Sequence, residues 1–246
     1  MLDRNDPKPL YVQLEEILRL SIANNEWEAN QLIPSENELS KTYGLSRMTV
    51  RSVIINLVNE GLLYRVQGKG TYVSPPKIST RSPAYQGIRE QLEMQGYKIE
   101  TKIIEHIQII PDNRIMGILG VARNEKVVFI KRVRIADGIP VSIHNSYIPV
   151  RLCPIIPMGE LETEQLCTII EKRYGLRAAS VSETLESVLA SEEEAKLLMI
   201  EKRHPLLLLE DINRTKEGRV FEYTKIAYRG DKIKLTFEFP EIGADK

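Results

Sequence analysis

Several protein classes are excluded by what this chain lacks. Its 246 residues contain only two cysteines, Cys153 and Cys167. They have no metal-ligand spacing and cannot form the framework of a disulfide-rich secreted domain, so both are expected to be small core thiols in a reducing compartment. No apolar run approaches the roughly 18 residues of a membrane helix. The first residues also lack the apolar stretch of a secretion signal. We therefore expect a cytoplasmic chain with no membrane partner. The three histidines are scattered, and no nucleophile or acid–base constellation accompanies them. No catalytic residue, metal or cofactor is expected. Finally, there is no net charge, with 34 basic residues against 34 acidic. Any attraction to a polyanion must then come from local distribution rather than from the total.

That distribution is uneven. From Lys41 to Lys77 there are Lys41, Arg47, Arg51, Arg65, Lys69 and Lys77 against Glu60 alone. From Met1 to Ser40, Arg4, Lys8 and Arg19 face Asp3, Asp6, Glu15, Glu16, Glu26, Glu28, Glu36 and Glu38. A local basic face is what contact with phosphates requires.

Pro34 to Val73 spells out a helix, a turn, a second helix and a hairpin. Ser35 with Glu38 has the capping-box spacing. Leu39 and Tyr43 share a helix face, and Gly44 offers the left-handed residue that ends it. Ser46 caps the second helix, in which Val50, Val53, Ile54 and Leu57 form one apolar stripe. Arg47, Met48, Arg51, Ser52 and Ile55 fall off that stripe, and Gly61 stops the helix. An arginine fork near the start of such a helix suits guanine O6 and N7. Thr49 can donate to a phosphate, and Met48 can touch a thymine methyl. The plainer alternative is a solvated helix face. Then Tyr64, Val66 and Tyr72 alternate with Arg65, Gln67 and Thr71 around Gly68-Lys69-Gly70, a hairpin whose glycine-flanked lysine can approach a phosphate closely. Upstream, Pro9 precedes a helix from Leu10 to about Asn24. Trp27 packs under the helix pair, Asn30 suits a left-handed turn, and Leu32-Ile33 forms a short strand beside the hairpin.

Ser74-Pro75-Pro76 through Ser82-Pro83 reads as an interdomain linker. After it we expect helices at Gln86–Met94, at Pro111/Asp112 to Gly120, at Glu164–Tyr174 and after the Ser191/Glu194 capping box. Ile99 to Ile110 is a strand with Ile99, Ile103, Ile107 and Ile109 on one half-buried face. Lys126–Ala136 and Val141–Ile148 form a hairpin about Asp137-Gly138. Val181–Leu189, Leu206–Arg214, Val220–Arg229 and Ile233–Phe239 follow, the last three as an antiparallel meander. The fold class is α+β.

Leu10-Tyr11, Pro34-Ser35-Glu36, Ser46 to Arg51, Glu60 to Leu63 and Gly68 to Val73 together resemble the winged-helix domain of GntR-type bacterial transcription regulators. In that family the position of Asn37 is usually an arginine that touches DNA. Arg132-Val133-Arg134, Asp137 to Pro140, Glu171 to Gly175, Phe221-Glu222 and Tyr228 to Asp231 resemble the UTRA effector domain of the HutC branch, which has a chorismate-lyase-like fold. The resemblance implies a winged helix-turn-helix domain at 1–75, a linker at 76–84 and an effector domain at 85–246. It also implies a dimeric repressor on a palindromic double-stranded operator. Ser35, Asn37, Ser46, Arg47, Met48, Thr49, Arg51, Gly68, Lys69 and Gly70 are then the DNA-contacting set.

In the second half, Arg132 and Arg134 alternate and so share a sheet face, where paired guanidiniums can hold a phosphate or carboxylate. Glu222 and Tyr228 also share a face. The resemblance places Arg132, Arg134, His144, Glu222 and Tyr228 near the effector pocket. The alternatives are surface salt bridges for the arginines and a structural role for His144. Relatives that sense phosphorylated sugars commonly have Ser and Tyr where Gln165 and Cys167 stand. Some amino-sugar sensors have Phe and Thr where Ile88 and Arg89 stand. The expected effector is a small anionic metabolite, with a phosphorylated sugar as first candidate. Two other functions compete: a DNA-tethered lyase-like enzyme, and an architectural DNA binder without effector.

Overall fold

The computed structural model describes residues 2–83 and 87–238. Its contacts divide into two compact units, one ending at Pro76 and the other beginning at Lys77.

The first unit holds three helices, α1 (Leu10–Ala23), α2 (Glu36–Tyr43) and α3 (Arg47–Asn59), and two strands, β1 (Leu63–Val66) and β2 (Gly70–Val73). Each helix of the central pair starts where a hydroxyl takes a free backbone amide. Ser35 Oγ accepts from Glu38 N at 3.3 Å while Glu38 Oε2 accepts from Ser35 N at 2.7 Å. Ser46 Oγ accepts from Thr49 N at 3.1 Å. Gly44 closes α2 in the left-handed region, with φ 61°. The stripe Val50, Val53, Ile54 and Leu57 packs with Leu14, Leu18 and Leu39, each side chain contributing about 1.5–3 kcal/mol of burial. Trp27 is half-buried against this core. Asn30 does adopt positive φ, 64°. That turn lays residues 30–33 along β2, with Asn30 N donating to Val73 O and Ile33 N to Thr71 O. Gly70 needs its missing side chain: φ is 124°, and a Cβ there would meet Leu32 Cδ1 at 2.6 Å.

The second unit is built on a six-stranded antiparallel sheet. Its strands are β4 (Ile99–Ile109), β5 (Val127–Ala136), β6 (Ile139–Pro149), β7 (Ser180–Leu189), β8 (Pro205–Arg214) and β9 (Val220–Arg229), in the order β4-β5-β6-β9-β8-β7. Asp137 and Gly138, both at positive φ, turn β5 into β6. Helices α4 (Ile88–Met94), α6 (Met158–Thr163) and α7 (Leu166–Tyr174) cover one face. Helices α5 (Asn113–Leu119) and α8 (Glu192–Leu198) cover the other.

Four expectations are corrected here. The middle of the linker drawn at 76–84 is a strand: Ile78–Arg81 is β3, paired in parallel with β10 (Ile233–Thr236). Consequently β10 does not continue the β8–β9 meander; it leaves the large sheet for β3. In β4 the single isoleucine face fails because a bulge between Ile103 and Glu105 exchanges the two sides. Ile103 packs beneath one face of the sheet, whereas Ile109 packs on the other and Ile107 is 47% exposed. Cys153 is buried, but Cys167 is exposed, on the first turn of α7 where it borders the cavity described below. Ala84 and Gln86, placed at the linker's end and the start of the following helix, and Phe239, placed at the end of the last strand, lie outside the described residues.

Candidate DNA interface and ligand cavity

On the first unit, the residues left over from core packing gather at the start of α3 and the hairpin tip. Arg47, Met48 and Arg51 are exposed on α3, Asn37 on the first turn of α2, and Gly68, Lys69 and Gly70 at the turn. Met48 is 69% exposed, a large apolar side chain with nothing covering it. Ser35 and Ser46 are exposed, but their hydroxyls serve as helix caps, and Thr49 Oγ1 lies 2.8 Å from Ser46 Oγ. One carboxylate links the two basic elements: Glu36 accepts from Arg65 Nη2 at 2.9 Å and lies 3.5 Å from Arg47 Nε. This ties the start of α3 to β1 while leaving most of Arg47 in solvent. The face can therefore meet a polyanion with free guanidinium, lysine and amide groups on a rigid support.

On the second unit, a cavity of about 520 Å³ opens above the middle of the sheet. Arg132, Arg134, His144 and Glu222 line it, together with Gln165, Asp211, Asn213 and Thr224. They converge because their strand positions share a side: Arg132 pairs with His144 and Arg134 with Ser142 across β5–β6, and Asn213 pairs with Glu222 across β8–β9. Tyr228 lies on the same side but does not line the cavity; it is fully buried and edge-on to His144, with ring centroids 6.3 Å apart.

Neither arginine is in a surface salt bridge. Arg132 is 4% exposed and Arg134 1%. Arg132 Nη2 donates to Ser146 Oγ at 3.2 Å, and Arg134 donates to Thr101 and, at 3.1 Å, to Gln165 Oε1. Among the described residues, Arg132 Nε and Nη1, Arg134 Nε and Gln165 Nε2 are buried donors without an acceptor. Leaving such donors unsatisfied costs about 1–3 kcal/mol each, more when the group is charged. A site that keeps them is arranged for an acceptor from outside. Burial lowers both guanidinium pKa values, that of Arg134 to about 9 with Arg132 and Arg89 adding repulsion, so Arg134 remains a cation at neutral pH.

The other titratable groups follow the same physics. Burial, reinforced by Arg132 and Arg134, holds His144 well below the ordinary imidazole range. It is a neutral ring whose Nε2 lies 2.9 Å from Ser142 Oγ. Burial raises Glu222 despite Arg132, and Thr224 and Asn213 hydrogen-bond to its carboxyl at 3.0 and 3.2 Å. Asp211 is pushed up to about 8 by burial, with Glu183 and Glu222 adding to it. Sequence reasoning missed Asp211 as a wall residue. The signal was present: it occupies the same alternating row of β8 as Leu207 and Leu209, an inward position where a carboxyl is out of place. Gln165 was expected inside a helix. It is instead the extended residue before α7, with ψ 142°, and this turns its amide toward Arg134.

A winged helix-turn-helix unit followed by an antiparallel unit with a polar cavity defines a ligand-binding transcription regulator. Residues 10–73 match the bacterial regulatory proteins of the gntR family, and residues 94–234 match the UTRA domain. The chain belongs to the GntR family and carries a UTRA domain, in the manner of the HutC branch. It is 34% identical over 231 residues to the HTH-type transcriptional repressor NagR of Bacillus subtilis, covering 94% of this chain and 95% of that protein. It is 28% identical over 216 residues to the histidine utilization repressor of Pseudomonas putida, covering 87% and 84%. The crystal structure of PhnF from Mycobacterium smegmatis shares the fold, with a TM-score of 0.61 at 24% identity over 93% of this chain and 97% of that one. The family is one of transcription regulators, so the lyase-like enzyme alternative is set aside.

Proposed function

We propose that the protein is a homodimeric repressor in the bacterial cytoplasm whose hold on a palindromic operator is set by a small anionic metabolite, a phosphorylated sugar being the first class to test. In this reading the start of α3 enters the major groove. Arg47 and Arg51 contact bases and phosphates, Met48 and Thr49 flank them, Ser35, Asn37 and Ser46 line the backbone, and Gly68-Lys69-Gly70 reaches an adjoining phosphate. One such helix spans only a few base pairs, so two copies related by a two-fold axis are needed for a selective site. Arg132 and Arg134 take the anion, Glu222 takes ligand hydroxyls, and neutral His144, backed by Tyr228, orients them.

The observation that carries the effector part is the set of buried, unsatisfied guanidinium and amide donors around a cavity of ligand size. It also weighs against an architectural binder without effector, which has no use for such a site. Two measurements test the reading. Genomic fragments selected by the purified protein should share an inverted repeat; selection without any enriched repeat would overturn the operator half. Phosphorylated sugars should raise the melting temperature of the parent protein but not of Arg132→Ala/Arg134→Ala. Equal stabilisation of both proteins would mean that the anion sits elsewhere.

A further inference from the structure

The anion reading uses only one end of the cavity. The wall bears both signs of charge: Glu222 acts on Arg132, and Glu90, Glu171 and Arg177 also line the wall. Asp211 is set apart from the arginine pair along the sheet. Arg132 and Arg134 stand on β5; Asp211 stands on β8. The register leads from Arg132 to His144, from His144 to Ile226 and from Ile226 to Leu209, two residues from Asp211. That is three strand spacings, about 14 Å across the backbones. Asp211 is 5% exposed, and its Oδ1 has no hydrogen-bond partner among the described residues. Glu183 pairs directly with it across β7–β8. Close by, the hydroxyl of fully buried Tyr228 is also without a partner among the described residues, and Asp211 and Glu183 are the carboxylates whose charge acts on it.

The basic groups on the cavity wall are Arg132, Arg134, His144 and Arg177. Among the described residues, none of them makes an ion pair or hydrogen bond with Asp211. A buried carboxyl beside two others, with an unsatisfied oxygen facing a cavity, is costly unless a positive charge or a strong donor arrives from the ligand. The unsatisfied arginine and glutamine donors at the far end show independently that this cavity is arranged for a ligand.

We propose that the Asp211 end is a cation subsite, and that the effector carries an ammonium group as well as its anionic group. This rests on the anion reading above and narrows it to a bipolar metabolite. Asp211 is the direct partner of the ammonium, and Glu183 and Glu222 supply the surrounding negative field.

The test uses matched probes and the full chain. Inorganic phosphate, ω-aminoalkyl phosphates of four to eight carbons and the corresponding ω-hydroxyalkyl phosphates are titrated against the parent, Asp211→Asn and Arg132→Ala/Arg134→Ala. For the parent, the best amino member should bind at least about tenfold more tightly than its hydroxyl counterpart, the usual worth of a charge-assisted hydrogen bond. In Asp211→Asn that advantage should fall within about twofold, while phosphate binding is kept. In the arginine variant all three probe classes should be lost. If phosphate binds the parent but amino and hydroxyl members bind equally at every length, the cation subsite is wrong and the anion reading stands. The subsite is equally refuted by an amino preference that survives Asp211→Asn. If neither phosphate nor either series binds the parent, the anion reading fails first, and the bipolar ligand falls with it.

Discussion

Arg47 and Arg51 leave the core stripe of α3 at the turn where α3 is capped, so their loss should leave the fold intact and act on DNA alone. Arg47→Ala and Arg51→Ala should each weaken operator binding by about 1–3 kcal/mol and relax discrimination at one base pair; an unchanged binding isotherm would remove that residue from the contact set. Lys69→Ala should instead act alike on all sequences, lowering the slope of log affinity against log salt by about one. Asp211 yields a prediction of another kind. Its native pKa, about 8, lies above the ordinary value of 3.8. Between those pH values the folded chain keeps a proton that the unfolded chain has released, so stability falls as pH rises through this window. An asparagine side chain at this position cannot ionise. Asp211→Asn should therefore melt higher than the parent at pH 8.5, by about 2–4 °C for each kcal/mol relieved, and the two should converge only near pH 4, at the ordinary carboxyl value. Parallel melting curves across that range would show that Asp211 is not held protonated by burial.

At the scale of elements, how much was legible depended on how local the cause was. The caps at Ser35, Ser46, Asp112 and Ser191, the left-handed Asn30 and the Asp137-Gly138 turn are set by a few neighbouring residues, and each could be read directly. The alternation likewise put Arg132 with Arg134 on one side of β5 and Glu222 with Tyr228 on one side of β9, and the family resemblance alone brought the two pairs to one pocket. What could not be read was long-range. The β3–β10 pair joins Ile78 to Ile233, and no local pattern announces a partner that distant. The bulge in β4 inverted an isoleucine pattern that looked regular, and Cys167 gave no sign of which side of α7 it would occupy. The β3 finding matters because the chain goes from the boundary at Pro76, through β3, to Pro83 and Gly87 on the cavity wall. Gly87 is packed closely there: a Cβ would come within 2.6 Å of Gln165 Cδ and 2.7 Å of its Nε2. Its φ of −54° and ψ of 137° suit alanine, so Gly87→Ala should fold normally and push the Gln165 amide away from Arg134. We expect effector affinity to drop about tenfold, the worth of one charged hydrogen bond, with operator affinity of the ligand-free protein unchanged. Titration calorimetry and an operator gel read the two effects separately; unaltered effector affinity would mean that Gln165 does not help grip the ligand.

At the scale of the whole molecule, the two units perform one function only if each ligand prefers a different arrangement of the protein. An effector that bound all arrangements equally would shift nothing, however tightly it was held. Coupling of this kind is usually worth about 1–3 kcal/mol, or 5- to 150-fold, and it is reciprocal. Whatever factor the effector imposes on operator affinity, a short operator duplex must impose on effector affinity. The dimeric repressor reading therefore predicts a closed cycle of four measured constants: effector with and without duplex, and duplex with and without effector. The product around the cycle should agree for the parent, with a coupling factor well above one. Gly87→Ala should lower effector affinity on both sides of the cycle equally and leave the factor intact, provided its effect is confined to the cavity wall. If the factor itself collapses in that variant, the segment from Pro76 to α4 is part of the switch as well as of the binding site. A factor of one in the parent would leave a DNA binder and a ligand binder joined in one chain with no regulation between them.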